Sequence, residues 1–300
     1  MSDYDLPSHR LMTAGTAPEP LRSALLEVLP DEGSAHLLLY TPPSGNSRLQ
    51  HGAAVLAVTS NGWICVERSK AGDCLTACSD FARVVLIELT EILLYASLKI
   101  HFADGGVTRT LGLNFSTSSG SLYRDALARI LAGIDGVEPG PPVDRGADLP
   151  LLGAVPRKFR NSAWEHAPPD ERVLAVTRWP AVVTDGGRWW QRELAPEGMF
   201  ALYERELLLI AEERARSWIR IGRVSKYGDV STYCPRARLT EVQLRKSEGN
   251  PLATLDVAVR ACGAGRTIEI PMPAAYGDAA YALARQALRR SETGGHKIQA

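Results

Sequence analysis

The chain has 300 residues, 45% of them hydrophobic and 23% charged, an ordinary globular composition that suits about two domains of roughly 150 residues each. Its 34 basic and 34 acidic residues cancel, so no overall charge attracts it to nucleic acid or to an anionic membrane. It begins without a secretory signal pattern, has no apolar run near the roughly 20 residues of a membrane helix, and carries five scattered cysteines. We therefore expect a cytoplasmic protein without a transmembrane segment.

The first part of the chain predicts a short helix followed by a set of β-strands. Leucines at helical spacing favour a helix from Pro20 to Leu29. Apolar runs on both sides of Ser60-Asn61-Gly62 favour a β-hairpin, because Asn and Gly tolerate the positive φ of its tight turn. Two strands are expected between Arg83 and Phe102, another over Val107–Phe115, and an amphipathic helix over Ser121–Ile134.

The second part repeats this order after a break. Residues 133–156 are rich in Gly, Pro and acidic residues, a composition that predicts a solvated linker without regular elements. Beyond it, a hairpin is expected around Glu204-Arg205-Glu206, and an amphipathic helix ends the chain. The predicted elements are strands over 173–179, 199–203, 207–212, 218–224, 231–233, 239–246, 252–260 and 267–270, and a helix over 274–290.

Two local matches indicate that the second part is a diverged copy of the first. Leu89-Thr90-Glu91-Ile92 matches Leu239-Thr240-Glu241-Val242 at an offset of 150 residues (239 − 89 = 150). Tyr123-Arg124-Asp125-Ala126 matches Tyr276-Gly277-Asp278-Ala279 at an offset of 153 residues (276 − 123 = 153). Because both matches fall at corresponding places in the element order, we predict a duplication.

About seven short strands followed by one amphipathic helix resembles the pleckstrin-homology-like (PH-like) fold. Within the second part, Met199–Ile210 looks like the early hairpin of the bacterial PH-like and GRAM group. Lys226–Val230 and Leu239–Val242 look like the next strand region of that group, although the long segment Ser217–Lys246 departs from its compact form. The resemblance covers about residues 34–134 and 170–290. It implies domains that bind lipids, peptides or other proteins, and the fold alone does not choose among these ligands.

The resemblance predicts an α+β protein with two PH-like domains. Each domain is expected to be a short-stranded, partly open antiparallel β-barrel or sandwich with a C-terminal amphipathic helix. The expected divisions are a tail and short helix at 1–33, a first domain at 34–134, a Gly/Pro-rich linker at 135–169, a second domain at 170–291 and a tail at 292–300.

The sequence shows no catalytic constellation. Cys262-Gly263-Ala264-Gly265 lacks the third glycine of a dinucleotide-binding turn, and no phosphate-binding loop occurs. Cys74 and Cys78 could share a metal on one helical turn, but two further ligands at zinc-type spacing are missing. We therefore expect no catalytic residues, cofactor or metal, and a non-catalytic binding or scaffolding protein. An enzyme with a pocket between the two parts, using Cys74 or Cys78, stays an alternative.

A basic cluster and a tryptophan pair supply the candidate ligand-binding residues. Residues 212–248 contain nine basic and five acidic residues, an excess of four positive charges that suits a phosphate-rich head group or an acidic partner. Two adjacent tryptophans on a strand point to opposite faces, which leaves one available for a partner. The candidate residues are Arg220, Arg223, Lys226, Arg236, Arg238, Trp189 and Trp190.

The expected partner is a protein or peptide, because a sheet edge can accept an added strand. The alternative is peripheral attachment to anionic lipid head groups through the basic cluster. Nucleic acid is not expected, because the aromatic residues form no stacking pattern for single strands. A homo-oligomer is left open.

Overall fold

The computed structural model describes residues 7–29, 31–44, 52–69, 71–92, 95–183, 193–212 and 228–294. Over these residues the protein is a mixed α+β structure whose sheets are mostly antiparallel. The predicted α+β class is confirmed at this level. The strand predicted over 218–224 lies outside the described residues.

The helices and strands fall into two successive series. The first series contains β1 (His9–Arg10), α1 (Leu21–Val28), β2 (Ala35–Thr41), β3 (Ala54–Thr59), β4 (Gly62–Arg68), β5 (Cys74–Asp80), β6 (Val84–Ile92), β7 (Tyr95–Asp104), β8 (Val107–Ser116) and α2 (Gly120–Ile134). The second series contains α3 (Leu149–Leu152), α4 (Arg157–His166), β9 (Ala175–Trp179), β10 (Val182–Val183), β11 (Glu193–Ala195), β12 (Gly198–Leu202), β13 (Glu206–Glu212), β14 (Gly228–Pro235), β15 (Leu239–Lys246), β16 (Leu252–Ala261), β17 (Ala264–Pro273) and α5 (Ala274–Gly294).

Two short 3-10 helices interrupt the strands at corresponding places. Phe81–Arg83, which we call the first corner, separates β5 from β6. Arg236–Arg238, the second corner, separates β14 from β15. Each corner therefore divides its series into an early set and a late set of strands.

By spatial proximity the chain divides into two compact units. The first unit contains Met1–Val84, Glu91–Phe102 and Arg109–Pro139. The second contains Val85–Thr90, Ala103–Thr108 and Gly140–Ala300. The domain bounds proposed from the sequence stay predictions.

The first unit is built around a five-stranded antiparallel sheet with the order β1-β2-β3-β4-β5. Helix α1 covers one face of this sheet, where Leu21 packs in a buried cluster with Val55 and Val66. Helix α2 buries Tyr123, whose ring stacks on Phe115 with centroids 3.6 Å apart. Leu21 and Leu25 of the apolar face predicted for α1 are thus buried, whereas Leu26 is 40% exposed.

The second unit contains two antiparallel sets of strands under helix α5. Strands β14, β13, β12 and β9 are neighbours in that order, and β6, whose residues 85–90 belong to this unit, lies on the other side of β14. Strands β15, β16 and β17 form the other set. Helix α4 is attached through Ala163, whose carbonyl accepts a 2.9 Å hydrogen bond from the Tyr203 hydroxyl. Its His166 lies 3.2 Å from the Tyr233 hydroxyl.

Apart from β1, α3 and the small β10–β11 ribbon, the two series share one order of elements: a helix, four strands, a corner, three strands and a helix. The corners also share a main-chain hydrogen bond, from Phe81 N to Asn61 O (3.0 Å) and from Arg236 N to Arg205 O (2.8 Å). Equivalent corner residues are therefore 155 positions apart (236 − 81 = 155). Descent from a duplication stays a prediction, with the shared order in its favour.

Two features differ from the sequence prediction. The expectation that 133–156 holds no regular element is wrong, because Leu149–Leu152 is helical, and α4 follows within the expected linker. Leu149-Pro150 can begin a helix because a proline at an early helical position gives up no hydrogen bond that the helix needs. Between the strands predicted over 173–179 and 199–203, where no strand is predicted, the structure has β10 and β11.

The two tetrapeptide matches do not join structurally equivalent positions. Leu89–Ile92 ends β6, whereas Leu239–Val242 begins β15, so the offset of 150 differs from the 155 set by the corners. Tyr123 is buried, but Tyr276 is 40% exposed. Matches of three identities in four residues are therefore a weaker guide to equivalence here than hydrogen bonding at the corners.

Candidate binding edge

Strand β5 is an exposed edge strand of the first unit. It pairs with β4 from Gly62↔Asp80 to Arg68↔Cys74, and no strand of the described ranges pairs with its other side. Leu75 is 61% exposed, and Cys78 is also exposed. A strand in this position presents a row of main-chain donors and acceptors that another strand can pair with.

The equivalent strand of the second series is β14, and its side chains are in a different environment. Asp80 of β5 pairs with the first residue of β4, and Pro235 of β14 pairs with the first residue of β13. By this register Cys78 corresponds to Tyr233, which is completely buried. The same position in the strand order is therefore surface in one series and core in the other.

Strand β6 accounts for part of this difference. Its residues 85–90 lie beside β14 in the second unit. Val85, Leu86 and Ile87 of β6 have no exposed surface, and Val85 and Leu86 join the same buried cluster as Cys234 of β14. An apolar strand thus occupies the edge of β14 that corresponds to the open edge of β5.

Apart from Asp80 at its end, the edge of β5 also lacks the features that usually prevent strand pairing. Charged residues, prolines and bulges protect natural edge strands. Among the described edge strands of five or more residues, β5 alone carries no Lys, Arg or Pro. The others carry Arg109 in β8, Arg178 in β9, Arg245 and Lys246 in β15, and Arg266 and Pro271 in β17. Strand β15 has in addition a register shift between Leu239 and Glu241.

Most of the predicted ligand-binding residues cannot be placed. Trp189, Trp190, Arg220, Arg223 and Lys226 lie outside the described residues. The remaining two, Arg236 and Arg238, belong to the second corner. The basic cluster as one surface therefore stays a prediction.

Arg236 is a buried residue that holds neighbouring elements together through hydrogen bonds to the main chain. It is 4% exposed, and its guanidinium donates to four main-chain carbonyl oxygens. The acceptors, with their distances, are Glu204 (2.8 Å), Ala287 (3.0 Å), Tyr203 (3.3 Å) and Gln286 (3.4 Å). These bonds attach the second corner to helix α5 and to the β12–β13 turn.

The thiols divide by exposure. Burial raises the pKa of the Cys65 and Cys234 thiols, which favours their neutral form. Cys74 and Cys78 lie four residues apart on strand β5, so at about 3.3 Å per residue they are about 13 Å apart along the strand. That geometry does not suit shared metal binding, and the described residues contain no cluster of three or more metal-ligating side chains.

Sequence reasoning missed β5 itself. Its polar and apolar residues, Cys-Leu-Thr-Ala-Cys-Ser-Asp, directed attention to the spacing of the two thiols and not to a strand. The second series has a fourth strand, β14, directly before its corner. A repeat of that order in the first series predicts a fourth strand between β4 and Phe81, and this was the signal that could have revealed β5.

No helix among the described residues is long and apolar enough to cross a membrane. A comparison with protein-family models finds no match to the chain, and a comparison with curated proteins finds none either.

Proposed function

We propose that this protein is a non-catalytic binding protein with two PH-like domains, and that it binds an extended segment of a partner protein by strand addition to β5. The observation that carries the proposal is the open, uncharged edge of β5 from Cys74 to Ser79. Strand addition obtains its affinity from main-chain hydrogen bonds and its specificity from alternate side chains.

The chemistry expected of the partner follows from the strand beside β14. Strand β6 is rich in branched apolar residues, and Val85, Leu86 and Ile87 are fully buried. A partner strand on β5 would likewise place alternate side chains beside Leu75, which is 61% exposed. We therefore assign to the partner an extended segment with branched apolar residues and no proline.

The PH-like part of the proposal depends on the order of elements. Each series contains four strands, a corner, three strands and a C-terminal helix, which is the plan expected of that fold. A PH-like domain needs no catalytic residues to act as a binding module, in agreement with an edge strand as the site of contact.

A synthetic peptide of residues 83–92 is the probe for this site, because these residues contain the strand that lies beside β14. We expect the fluorescein-labelled peptide to bind the full-length protein saturably, as measured by fluorescence anisotropy. The same peptide with Pro in place of Ile87 should bind at least about tenfold more weakly, since proline removes a main-chain donor and distorts the strand.

Two variants with matched exposure locate the binding. Leu75→Lys puts a charge on the edge of β5 and should weaken binding about tenfold, which corresponds to about 1.4 kcal/mol. Val107→Lys puts the same charge on another edge strand, β8, at a residue 58% exposed, and should leave binding unchanged. Equal binding by both variants, or no saturable binding of the peptide by the unmodified protein, would contradict the proposal.

A further inference from the structure

The two corners place different side chains in equivalent surroundings. In the second unit, the buried guanidinium of Arg236 lies between helix α5 and the β12–β13 turn. In the first unit, Phe81 takes the position of Arg236, as their equivalent main-chain hydrogen bonds show. A phenyl ring has no N–H group, so the first corner cannot supply the donors that the second corner supplies.

The acceptors of Arg236 have counterparts in the first unit. The β3–β4 pair Ala54↔Glu67 and the β12–β13 pair Gly198↔Ala211 are 144 positions apart on each strand. By this offset Thr59 and Ser60 correspond to Tyr203 and Glu204, whose carbonyl oxygens accept from Arg236. The turn that accepts a guanidinium in one unit therefore has a direct equivalent in the other.

The helices correspond in the same way. Strands β7 and β8 are each 157 positions from β16 and β17, and the same offset relates Ile130 of α2 to Ala287 of α5. Both residues are fully buried, which supports the equivalence. By this offset Arg129 and Ile130 correspond to Gln286 and Ala287, the two helix residues whose carbonyls accept from Arg236.

At this place the first unit has an open groove. Its volume is about 130 Å³, and it is lined by the β3–β4 turn, Phe81, the C-terminal end of α2 and the residues that follow α2. The Phe81 ring lies against Gly133, where a Cβ atom would come within 2.3 Å of the ring. The ring thus forms a wall of the groove, which lies directly beside the residue that takes the position of Arg236.

We propose that this groove binds the guanidinium group of an arginine side chain from a partner polypeptide. Phe81, which is 6% exposed, contributes apolar lining, and the last turn of α2 carries the negative end of its helix dipole. Thr59, Ser60 and Arg129 of the lining correspond by these offsets to three of the four residues whose carbonyls accept from Arg236. The site is independent of the strand addition proposed for β5.

The charged groups around the groove decide whether it favours a cationic ligand. Glu138 brings a carboxylate to the groove, and His36 adds an imidazole. Arg129 is the cation of the lining, and its Nε lies 3.3 Å from a carboxylate oxygen of Asp125. A cationic ligand is therefore favoured by Glu138 and opposed by the part of the Arg129 charge that Asp125 does not compensate.

The experiment uses the full-length protein with methyl-labelled valine. Acetyl-Gly-Arg-Gly-amide is titrated, and its citrulline counterpart serves as the neutral control of the same shape. We expect saturable shifts of the Val58 and Val137 methyl signals, which report on the groove, with a Kd on the order of 1 mM for the arginine peptide. The citrulline peptide should produce no saturable shift.

Three variants make the outcome decisive. Glu138→Gln should weaken binding up to about fivefold, as expected for an exposed ion pair, and Arg129→Gln should tighten it. Phe81→Arg should place its own guanidinium in the groove and abolish the shifts. Equal shifts with both peptides, tighter binding of acetyl-Gly-Glu-Gly-amide, or tighter binding by Glu138→Gln together with weaker binding by Arg129→Gln would overturn the proposal. None of the substituted residues belongs to β5, so failure of the arginine peptide to bind the unmodified protein leaves the proposed strand addition intact.

Discussion

Strands β5 and β14 hold the same place in the two series, yet one is an open edge and the other is core. Both precede a corner, and both pair with the preceding strand in the same register. Beside β14 lies β6, and Tyr233 contacts His166 of α4. On the side of β5 away from β4 no described strand lies, and Cys78 is exposed. The comparison teaches that the neighbours of a strand, more than its place in the fold, decide whether it is available for binding.

The largest expected effect comes from truncating equivalent residues of these two strands. Tyr233→Ala removes a fully buried ring and should lower the free energy of unfolding by about 3–5 kcal/mol. Cys78→Ala, at the equivalent exposed position, should change it by less than about 0.5 kcal/mol. Urea denaturation followed by circular dichroism measures both. Similar losses for the two variants would remove the distinction between core and edge.

The second corner should be nearly as sensitive as Tyr233. Arg236→Leu leaves four main-chain carbonyls without their guanidinium donor and should cost about 3 kcal/mol in the free energy of unfolding. Arg260→Leu, at an exposed arginine of β16, should cost less than about 0.5 kcal/mol. The same denaturation experiment compares them, and an equal cost would show that the bonds of Arg236 do not stabilise the corner.

A smaller effect is expected at the first corner. Gly133→Ala gains about 1 kcal/mol of helix propensity but brings a Cβ within 2.3 Å of the Phe81 ring, so we expect a net loss of about 1–2 kcal/mol. Adding Phe81→Leu should recover part of that loss. Gly112→Ala is the control, because nothing lies within 4 Å of its new Cβ. A net gain for Gly133→Ala, seen as a higher Tm, would contradict the close packing.

The mildest experiment is chemical labelling of the cysteine thiols, which leaves the fold unchanged. Cys78 is exposed, whereas burial encloses Cys234 and raises its pKa, so both access and thiolate formation favour reaction at Cys78. We expect Cys78 to react with iodoacetamide more than about tenfold faster, as followed by mass spectrometry. Saturation with the 83–92 peptide should slow labelling of Cys78 and leave exposed Cys262 unaffected. Equal protection of both thiols would mean that the peptide does not occupy β5.

Much of the fold follows from local signals in the sequence. The β3–β4 hairpin predicted at Asn61-Gly62 is confirmed, but neither residue has the positive φ on which that prediction rested. Helical spacing predicted α1, α2 and α5 close to their observed bounds. The helical signal is strong because one-sided burial repeats within a few residues.

The candidate sites were harder to predict because they depend on distant partners. Strand β5 has no continuous apolar pattern, since an open edge buries little of it. The correspondence between the groove beside Phe81 and the surroundings of Arg236 becomes apparent only when Phe81 is aligned with Arg236. That alignment had one sequence signal, the shared Ala and Arg that follow these residues: Phe81-Ala82-Arg83 and Arg236-Ala237-Arg238. Two identities are too few to set a register without the structure.

The position of β6 also has a consequence for synthesis of the chain. Val85, Leu86 and Ile87 leave the ribosome before the strand beside them, since β14 begins 138 residues after residue 90 (228 − 90 = 138). At about 5–20 residues per second, these apolar residues wait roughly 7–28 s for β14 to emerge. During that interval the edges of both β5 and β6 are unpaired in the nascent chain. A chaperone or an early partner that covers β6 would favour correct assembly of the second unit.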